Sequence, residues 1–238
     1  MVEVSCKRCA GAAFVKNGTV RGHQRYLCKA CGCNFTATPE RGKPEAMKAL
    51  AVLLYAMGNA SQGMIAKLLG VSHVTVYRWL RAAGEAAPEP AGEPSSEVVQ
   101  IDEMWHFVDG KKNKVWLWRA FDPVARRTLA WELGGRDDAT CRRLLDKVGI
   151  EGRIFLTDDW EGFHRLIPAE QLFTGKDLTF PIEQDNSNIR HHLARFRRRS
   201  TVTSRARHMV DGALRLLCHL RQPENFLPLR GSFLSIFA

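Results

Sequence analysis

Two pairs of adjacent acids mark the places where this sequence could carry chemistry. Asp102 and Glu103 lie in the β-rich run VVQIDEMWHFV, and Asp158 and Asp159 follow the short apolar run IFLT. Glu183 stands near the start of a helical stretch further along the chain. Carboxylates in one cleft repel each other unless cations bridge them, and hard ions such as Mg²⁺ or Mn²⁺ prefer oxygen ligands. A pair of such ions can support phosphodiester chemistry, so we expect Asp102, Asp158 and Glu183 to form one magnesium site.

Strand alternation separates the members of the first pair, because neighbouring residues point to opposite faces. Asp102 shares its face with Gln100 and His106, whereas Glu103 shares a face with the apolar Ile101. The Asp102 face is the more polar, so we predict that Asp102 looks into the cleft. Glu103 is expected near a strand edge or under a helix end.

The second pair follows a buried strand at 154–157. Asp158 shares a strand face with Ile154 and Leu156 and is the candidate metal ligand of this pair. Asp159 is expected beyond the strand end, near a helix that starts at Trp160, where a carboxylate can cap free backbone N–H groups.

A long helix starting near Glu183, just after Pro181, is predicted to present two faces. One carries Glu183, Asn186 and Arg190, a row that suits a metal ion beside a phosphate, although a solvated polar face is the ordinary alternative. The other face is apolar and should be core: Ile182, Ile189, Leu193 and Phe196.

Arginine dominates the segment that follows. Seven arginines and no acid occur in 186–207, and the guanidinium fork suits phosphate oxygens. A solvated basic helix is the alternative. We predict that DNA contacts in this segment come from Asn186, Arg195, Arg197, Arg198 and Arg199.

Four cysteines form two CxxC pairs near the N-terminus. Their spacing matches a structural zinc site with ligands Cys6, Cys9, Cys28 and Cys31. Asn17–Gly18 between them has the turn chemistry of a hairpin that would bring the pairs together. Four unrelated buried thiols are the alternative, and two nearby residues are rival ligands: His23 and Cys33.

The region 43–83 is predicted to be helical and to contain a helix-turn-helix. Ala66, Gly70 and Val76 occupy the small, turn and core positions that two crossing helices need. Residues expected to pack inward are Met64, Leu68, Val71, Val76, Trp79 and Leu80. Residues expected to face a DNA major groove are Ser72, His73, Tyr77 and Arg78. Any small helical hairpin would give a similar pattern.

Charge points to a polyanionic partner. The chain of 238 residues has a net charge of +10, and 12 basic residues against three acidic ones fall within 1–84. The sequence contains no run of 18 apolar residues, so no membrane span is predicted. Its start also lacks the layout of a signal peptide. We therefore expect a cytoplasmic protein with no membrane partner, whose cysteines are metal ligands or free thiols.

The order of elements predicts a multidomain α/β protein. Three β-rich runs from 98 onwards form a predicted meander, followed by a helix near 137–148, the strand at 154–157 and further helices. The predicted divisions are a cysteine-rich region 1–40, a helix-turn-helix region 41–84, a flexible linker 85–97, an α/β domain 98–222 and an unassigned tail 223–238.

These motifs together resemble the Asp-Asp-Glu transposases of the insertion-sequence-one family, the InsA–InsB type. The runs QIDEMW, LTDDW and IEQDNSNIRHHLARFRRRS resemble the InsB half, and CKRC with GHQRYLCKACG and the helix-turn-helix resemble the InsA half. The resemblance implies a zinc ribbon and helix-turn-helix that bind inverted-repeat ends, followed by a ribonuclease-H-like catalytic domain. It puts Asp102, Asp158 and Glu183 in the triad and Arg190 at the basic position seven residues after the glutamate.

The resemblance also implies the reaction and the partners. Mg²⁺-dependent hydrolysis of the 3′ strand at each element end would be followed by attack of the freed hydroxyl on target DNA. Double-stranded DNA, both ends and target, is the expected partner, with a homo-oligomer on that DNA in the bacterial nucleoid. Two alternatives remain open: a metal-dependent nuclease without strand transfer, and a DNA-binding repressor with an inactive catalytic domain.

Overall fold

The computed structural model describes residues 4–38, 42–90, 94–197 and 204–235. The chain forms two compact units, Met1–Lys43 and Pro44–Ala238. None of the helices within the described ranges has the length and apolar character that a membrane crossing requires.

The first unit is an antiparallel sheet of three strands: β1 (Phe14–Val20), β2 (His23–Cys28) and β3 (Asn34–Thr36). The predicted hairpin is present, but the prediction that Asn17–Gly18 makes its turn was wrong. The turn lies at Arg21–Gly22, whose φ angles of 51° and 78° suit a tight hairpin. Asn17–Gly18 coincides with a register shift between Lys16 and Thr19. A glycine with positive φ fits a bulge as well as a turn, and here it lies inside β1.

Three helices open the second unit: α1 (Glu45–Ala56), α2 (Gln62–Leu69) and α3 (His73–Ala86). Ser61 and Ser72 cap α2 and α3, each accepting a hydrogen bond from the backbone N–H three residues later. Gly70 ends α2 in the left-handed region with φ of 60°, which favours glycine. These caps and this glycine join α2 to α3 by a tight turn.

The buried face of α2 differs from the prediction. Met64 and Leu68 are 64% and 65% exposed, whereas Ile65 and Ala66 are buried with Leu69 packed beside them. The predicted inward face was therefore one residue out of phase, which on a helix is a rotation of about 100°. The apolar pattern of α2 permits both phases, and packing against the rest of the core selects one.

A five-stranded mixed sheet forms the centre of the second unit, in the order β6–β5–β4–β7–β8. The strands are β4 (Val98–Phe107), β5 (Lys114–Asp122), β6 (Arg127–Gly134), β7 (Ile154–Thr157) and β8 (Leu172–Thr174). The predicted three-strand meander is confirmed as the antiparallel β4–β5–β6. The predicted strand at 154–157 is confirmed as β7, which runs parallel to β4 and to β8. The mixed α/β class is confirmed.

Helices follow the strands as α4 (Asp138–Val148), α5 (Glu161–Leu166) and α6 (Phe180–His192). Asp137 caps α4 by accepting a hydrogen bond from the Thr140 N–H. The α4 and α5 helices cover the sheet face that carries Ile101 and Trp118. The α6 helix ends at His192, before a separate 3₁₀ turn at Ala194–Phe196. The apolar residues predicted to be core are nevertheless all buried: Ile182, Ile189, Leu193 and Phe196.

Two last helices, α7 (Arg207–Leu220) and α8 (Pro223–Leu234), join the second unit into one body. One apolar cluster includes Val52 of α1, Leu80 of α3, Leu117 of β5 and Leu214 of α7. The predicted linker 85–97 therefore does not separate two compact bodies, because α1 and α3 bury their apolar faces against α7 and α8. The first two residues of that range belong to α3, residues 91–93 lie outside the described ranges, and most of the unassigned tail is α8.

Candidate active site

Two of the predicted carboxylates, Asp102 and Glu183, line one cleft, and the third, Asp158, lies near Asp102. Asp102 lies in β4, and the parallel β7, with Leu156 paired to Gln100, ends beside it so that Asp158 emerges next to Asp102. Glu183 lies in the first turn of α6. The cleft has a volume of about 700 Å³ and is lined by Asp102, Glu103, Met104, Glu183, Asn186, Ser187, Arg190, His191 and Arg197.

The surroundings of Asp102 favour a bound cation. Burial raises the pKa of Asp102, and the negative charges of Glu183 and Asp158 raise it further, although a hydrogen bond from Asn186 opposes them. The Asn186 side-chain nitrogen donates to Asp102 Oδ2 over 2.6 Å. A positive ion would relieve the electrostatic cost that raises this pKa.

Asp158 and Asp159 have unlike surroundings. Asp158 is 43% exposed and lies 3.8 Å from the Arg136 guanidinium, whereas Asp159 is 82% exposed and pairs with His164 at 2.9 Å. The capping prediction for Asp159 was wrong, because Asp158 Oδ1 is the atom that accepts the Trp160 N–H, over 3.2 Å. Asp158 lies between the end of β7 and the start of α5, close enough to the helix start to make that bond itself.

Asp102 and Glu183 line the cleft and Asp158 lies near Asp102, but the three carboxylates do not close on a common point. Glu183 accepts a hydrogen bond of 3.0 Å from Thr179, and Asp102 and Asp158 are held by Asn186 and Arg136. Among the described residues, the four cysteines are the only group of three or more His, Cys, Asp or Glu ligands gathered tightly enough to hold an ion. The donor set of hard oxygens fits Mg²⁺.

Behind Asp102 lies a buried charged network that the sequence reasoning missed. Arg119 pairs with Asp102 across the β4–β5 register and is fully buried. Its guanidinium donates to the Asn186 side-chain oxygen and forms an ion pair of 2.5 Å with Asp185. Arg221 pairs with the other Asp185 oxygen at 2.7 Å. A lone arginine inside the apolar run KVWLWRAF was the available signal, since buried arginines need partners.

Glu103, expected near a strand edge or under a helix end, has a buried side chain that pairs with Arg136 at 2.5 Å. Burial raises the pKa of Glu103 to about 7, with help from the Asp158 charge and against the Arg136 cation. Its Oε2 atom has no hydrogen-bond partner within the described part of the chain. Arg136 therefore contacts both this buried acid and Asp158.

The predicted phosphate contacts divide into three groups. Arg190 and Arg197 line the cleft beside Glu183. Arg195 is instead committed inside the protein, because it donates to the Tyr55 hydroxyl over 2.8 Å and to Ser204. Asn186 is also buried between Arg119 and Asp102, so it positions a carboxylate and is not free to contact DNA. The other two predicted contacts lie outside the described residues: Arg198 and Arg199.

His106 shares the Asp102 face of β4 and is neutral near pH 7. Burial and, to a lesser extent, the Arg195 charge lower the pKa of His106 to about 4. Its Nε2 atom lies 2.7 Å from the Ser204 hydroxyl, which fixes this ring inside the protein.

The residues predicted for groove contact lie at the start and along the outer side of α3. His73 and Arg78 are exposed. Ser72 is exposed too, but its hydroxyl oxygen is used in the helix cap. Tyr77 is half-buried, with its hydroxyl 3.3 Å from His208 of α7, so it is less available for DNA than predicted.

The four predicted zinc ligands come together in the first unit. Their sulfur atoms all lie within 4.8 Å of one another, with Cys6–Cys31 and Cys9–Cys28 at 3.6 Å, close to the sulfur spacing of tetrahedral zinc. The rival ligands His23 and Cys33 are outside the group. Burial opposes ionisation of Cys6, but hydrogen bonds from backbone N–H groups and neighbouring thiols lower the pKa of Cys6 to about 6. The cluster could hold zinc.

A family model and individual relatives point to the same family of proteins. The family model described as IS1 transposase matches residues 97–219. Insertion element iso-IS1n protein InsB of Shigella dysenteriae is 36% identical over 110 residues, which are 46% of this chain and 84% of that protein. Insertion element IS1 9 protein InsB of Escherichia coli K12 is 31% identical over 123 residues, 50% of this chain and 74% of that protein. The region matched by the family model contains the whole five-stranded sheet and every residue of the carboxylate cleft.

Proposed function

We propose a function from one premise: this chain belongs to the IS1 transposase family. That membership supports a transposase function. We propose further that the chain binds the inverted-repeat ends of an insertion sequence, hydrolyses the 3′ strand at each end and joins the freed 3′ hydroxyl to target DNA. The proposed catalytic domain is ribonuclease-H-like and is built on the five-stranded sheet.

The observation that carries this proposal is the cleft itself. Asp102 and Glu183 line it together with Arg190, and Asp158 is close enough to raise the pKa of Asp102. Acids that would bind divalent ions thus stand beside a guanidinium that would bind phosphate. All four residues fall within the part of the chain that the family model matches.

The roles of the side chains follow from their contacts. Asp102, Asp158 and Glu183 would hold Mg²⁺ or Mn²⁺, which when bound supplies Lewis-acid stabilisation of the phosphodiester oxygens. Asn186 keeps one Asp102 oxygen directed into the cleft. Arg190 and Arg197, which line the same cleft, would bind the phosphates on either side of the scissile bond and so orient the strand.

DNA recognition is proposed for α3 and the cysteine unit. His73 and Arg78 are exposed on α3, where they could reach base edges in a major groove. The four-cysteine cluster would hold zinc and fold the first unit as a ribbon that adds to end binding. A homo-oligomer on DNA is part of the proposal, because two element ends must be processed together.

A matched pair of variants tests the catalytic assignment. Asp158→Asn should reduce end cleavage and strand transfer to background while end binding persists, because an amide is a poor ligand for a hard cation. Asp159→Asn changes the adjacent, exposed acid that pairs with His164, so it should keep most activity. Both are measured with purified full-length protein, Mg²⁺ and labelled DNA carrying the element's ends.

The same assay separates the proposal from its rivals. Hydrolysis of the ends without joining to target DNA would identify a nuclease. End binding with neither step would identify a repressor. Either result contradicts the proposed function, and an active Asp158→Asn beside an inactive Asp159→Asn contradicts the choice of acid.

A further inference from the structure

The sheet face opposite Asp102 carries an exposed strip of aromatic and basic side chains. Phe107, Trp105 and Glu103 alternate along β4 on this face, and Trp116 of β5 lies directly opposite Trp105 in the register. Trp105 is 46% exposed, although α4 and α5 bury the same face further along the strands. A tryptophan left uncovered forgoes a large burial of apolar area, so its exposure calls for a reason.

Cations are interleaved with these rings. Lys114 Nζ lies 5.0 Å from the centre of the Trp105 ring and 5.3 Å from that of Trp116. The Arg136 guanidinium lies 5.3 Å from the Trp116 ring centre. We call these five residues the aromatic–basic strip: Phe107, Lys114, Trp105, Trp116 and Arg136.

The strip connects two features at its ends. At one end is the β4–β5 turn, where Lys111 and Lys112 are exposed beside Lys114. At the other end Arg136 approaches Asp158 to 3.8 Å, at the border of the carboxylate cleft. A DNA strand bound near Asp158 would therefore contact alternating cations and aromatic rings if it continued along this face.

We propose that the aromatic–basic strip binds unpaired DNA nucleotides next to the cleavage point. Every base has a flat face that can stack on an aromatic ring once it is released from its pair, whatever its identity. Lysines at the turn would neutralise the phosphates of the same strand. Paired bases hide their faces in the duplex, so the strip selects single-stranded over blunt double-stranded DNA. This inference rests on the proposed function for the presence of DNA at Asp158.

Equilibrium binding of two probes tests the strip without any catalytic step. The full-length chain is titrated, without added Mg²⁺, into labelled short oligothymidine and into a labelled blunt hairpin duplex, and fluorescence anisotropy is followed. Trp105→Ala should weaken oligothymidine binding about tenfold, the scale of one lost stacking contact, and leave duplex binding nearly unchanged. Trp105→Phe should restore most of the affinity, since a phenyl ring still stacks.

Two further variants sharpen the comparison. Val124→Ala removes another exposed apolar side chain, 67% exposed and in the β5–β6 turn, and should leave both probes unaffected. Replacing Lys111 and Lys112 by glutamine should weaken oligothymidine binding and flatten its dependence on salt.

Several outcomes would contradict the proposal that the aromatic–basic strip binds unpaired nucleotides. Unchanged oligothymidine binding by Trp105→Ala would do so, and so would equal weakening of both probes. A change in sedimentation of Trp105→Ala with oligothymidine binding intact would mean that a second copy of the chain covers the strip. Absence of cleavage by the unaltered protein would instead count against the proposed function and leave the oligothymidine result standing.

Discussion

At the residue scale, the position of Asp102 depends on charged groups that lie inside the protein. The Asn186 side-chain oxygen accepts from Arg119, so its nitrogen must face Asp102. Arg119 is itself oriented by Asp185, which Arg221 also contacts. Removing one member of a buried charged network leaves the others unpaired, so the geometry of the set is strongly held.

We predict that Asn186→Ala raises the Mg²⁺ concentration needed for half-maximal end cleavage about tenfold or more. The variant removes the hydrogen bond that orients one Asp102 oxygen, and loss of a partner behind a metal ligand costs about 10- to 100-fold in metal affinity or activity. Cleavage rates measured across a range of Mg²⁺ concentrations check this.

Asn188→Ala is the matched control, because it removes an exposed amide from the same helix. Its Mg²⁺ dependence should equal that of the unaltered protein. If Asn186→Ala lowers the rate by the same factor at every Mg²⁺ concentration, the amide serves the fold or the DNA and does not position a ligand.

Sequence reasoning at this scale proposed three acids for a metal site and missed the groups that contact them. Asp102, Asp158 and Glu183 could be chosen because strand alternation and helix spacing give local directions. Arg119 and Asp185 meet across 66 residues of sequence, and no local pattern records that pairing. The same limit applies to Asn186, whose apparent polar face is turned inward by partners on β4 and β5.

At the scale of elements, the contact between α3 and α7 unites the first three helices with the sheet. Gly84 of α3 and Gly212 of α7 meet there, so closely that a Cβ on Gly84 would lie 2.9 Å from the Gly212 Cα. Leu80 and Leu214 are buried in the same cluster. Two glycines thus let two helix backbones approach, and the candidate recognition helix is fixed relative to the cleft.

We predict that Gly84→Ala lowers the free energy of unfolding by about 1–2 kcal/mol. An added methyl group would press on backbone atoms, and overpacking of this kind costs about 1–3 kcal/mol, partly offset by the higher helix propensity of alanine. Chemical denaturation of the full-length chain, followed by tryptophan fluorescence, measures the change.

Gly231→Ala in α8 provides the comparison, because nothing lies within 4 Å of its added Cβ. It should leave stability unchanged or raise it by up to about 1 kcal/mol. If the two substitutions changed the free energy of unfolding equally, the α3–α7 contact would accommodate the added methyl group without loss of stability, contrary to the prediction.

Element types were predictable where the local pattern has one solution. The β4–β6 meander and β7 were predicted from the alternation and length of their apolar runs, and the helix near 137–148 was expected from the order of elements. The phase of α2 and the place of the β1–β2 turn were not, since Met64 and Ile65 are equally apolar and Asn17–Gly18 suits a bulge too. The stretch after α3 has the composition of a linker, but the helices before it are held by tertiary packing.

At the scale of the whole molecule, the two compact units differ in the interactions that can stabilise the fold of each one. The second unit contains two large apolar clusters. Within its described residues, 4–38 and 42–43, the first has three buried residues in its own cluster, Cys6, Cys28 and Phe35, two of them cysteines of the four-sulfur group. So small a core cannot offset the chain entropy of some 40 residues, whereas a structural zinc ion supplies about 10–16 kcal/mol of apparent binding free energy.

We therefore predict that a zinc chelator unfolds the first unit and leaves the second folded. All six tryptophans lie at position 79 or beyond, so tryptophan fluorescence reports only the second unit, and its thermal transition should not move. Trypsin should at the same time begin to cut at Lys16, Arg21 and Arg25, which lie on or beside the β1–β2 hairpin.

Matched cysteine variants decide whether the cluster is responsible. Cys28→Ser removes a sulfur of the group and should reproduce the chelated state without chelator, because three thiolates and a hydroxyl bind zinc poorly. Cys33→Ser changes a cysteine outside the group and should keep the hairpin resistant to trypsin. Readdition of zinc should restore resistance to the chelated protein and not to Cys28→Ser. A hairpin that stays resistant after chelation would show that its fold does not need the metal, and the zinc assignment would be wrong.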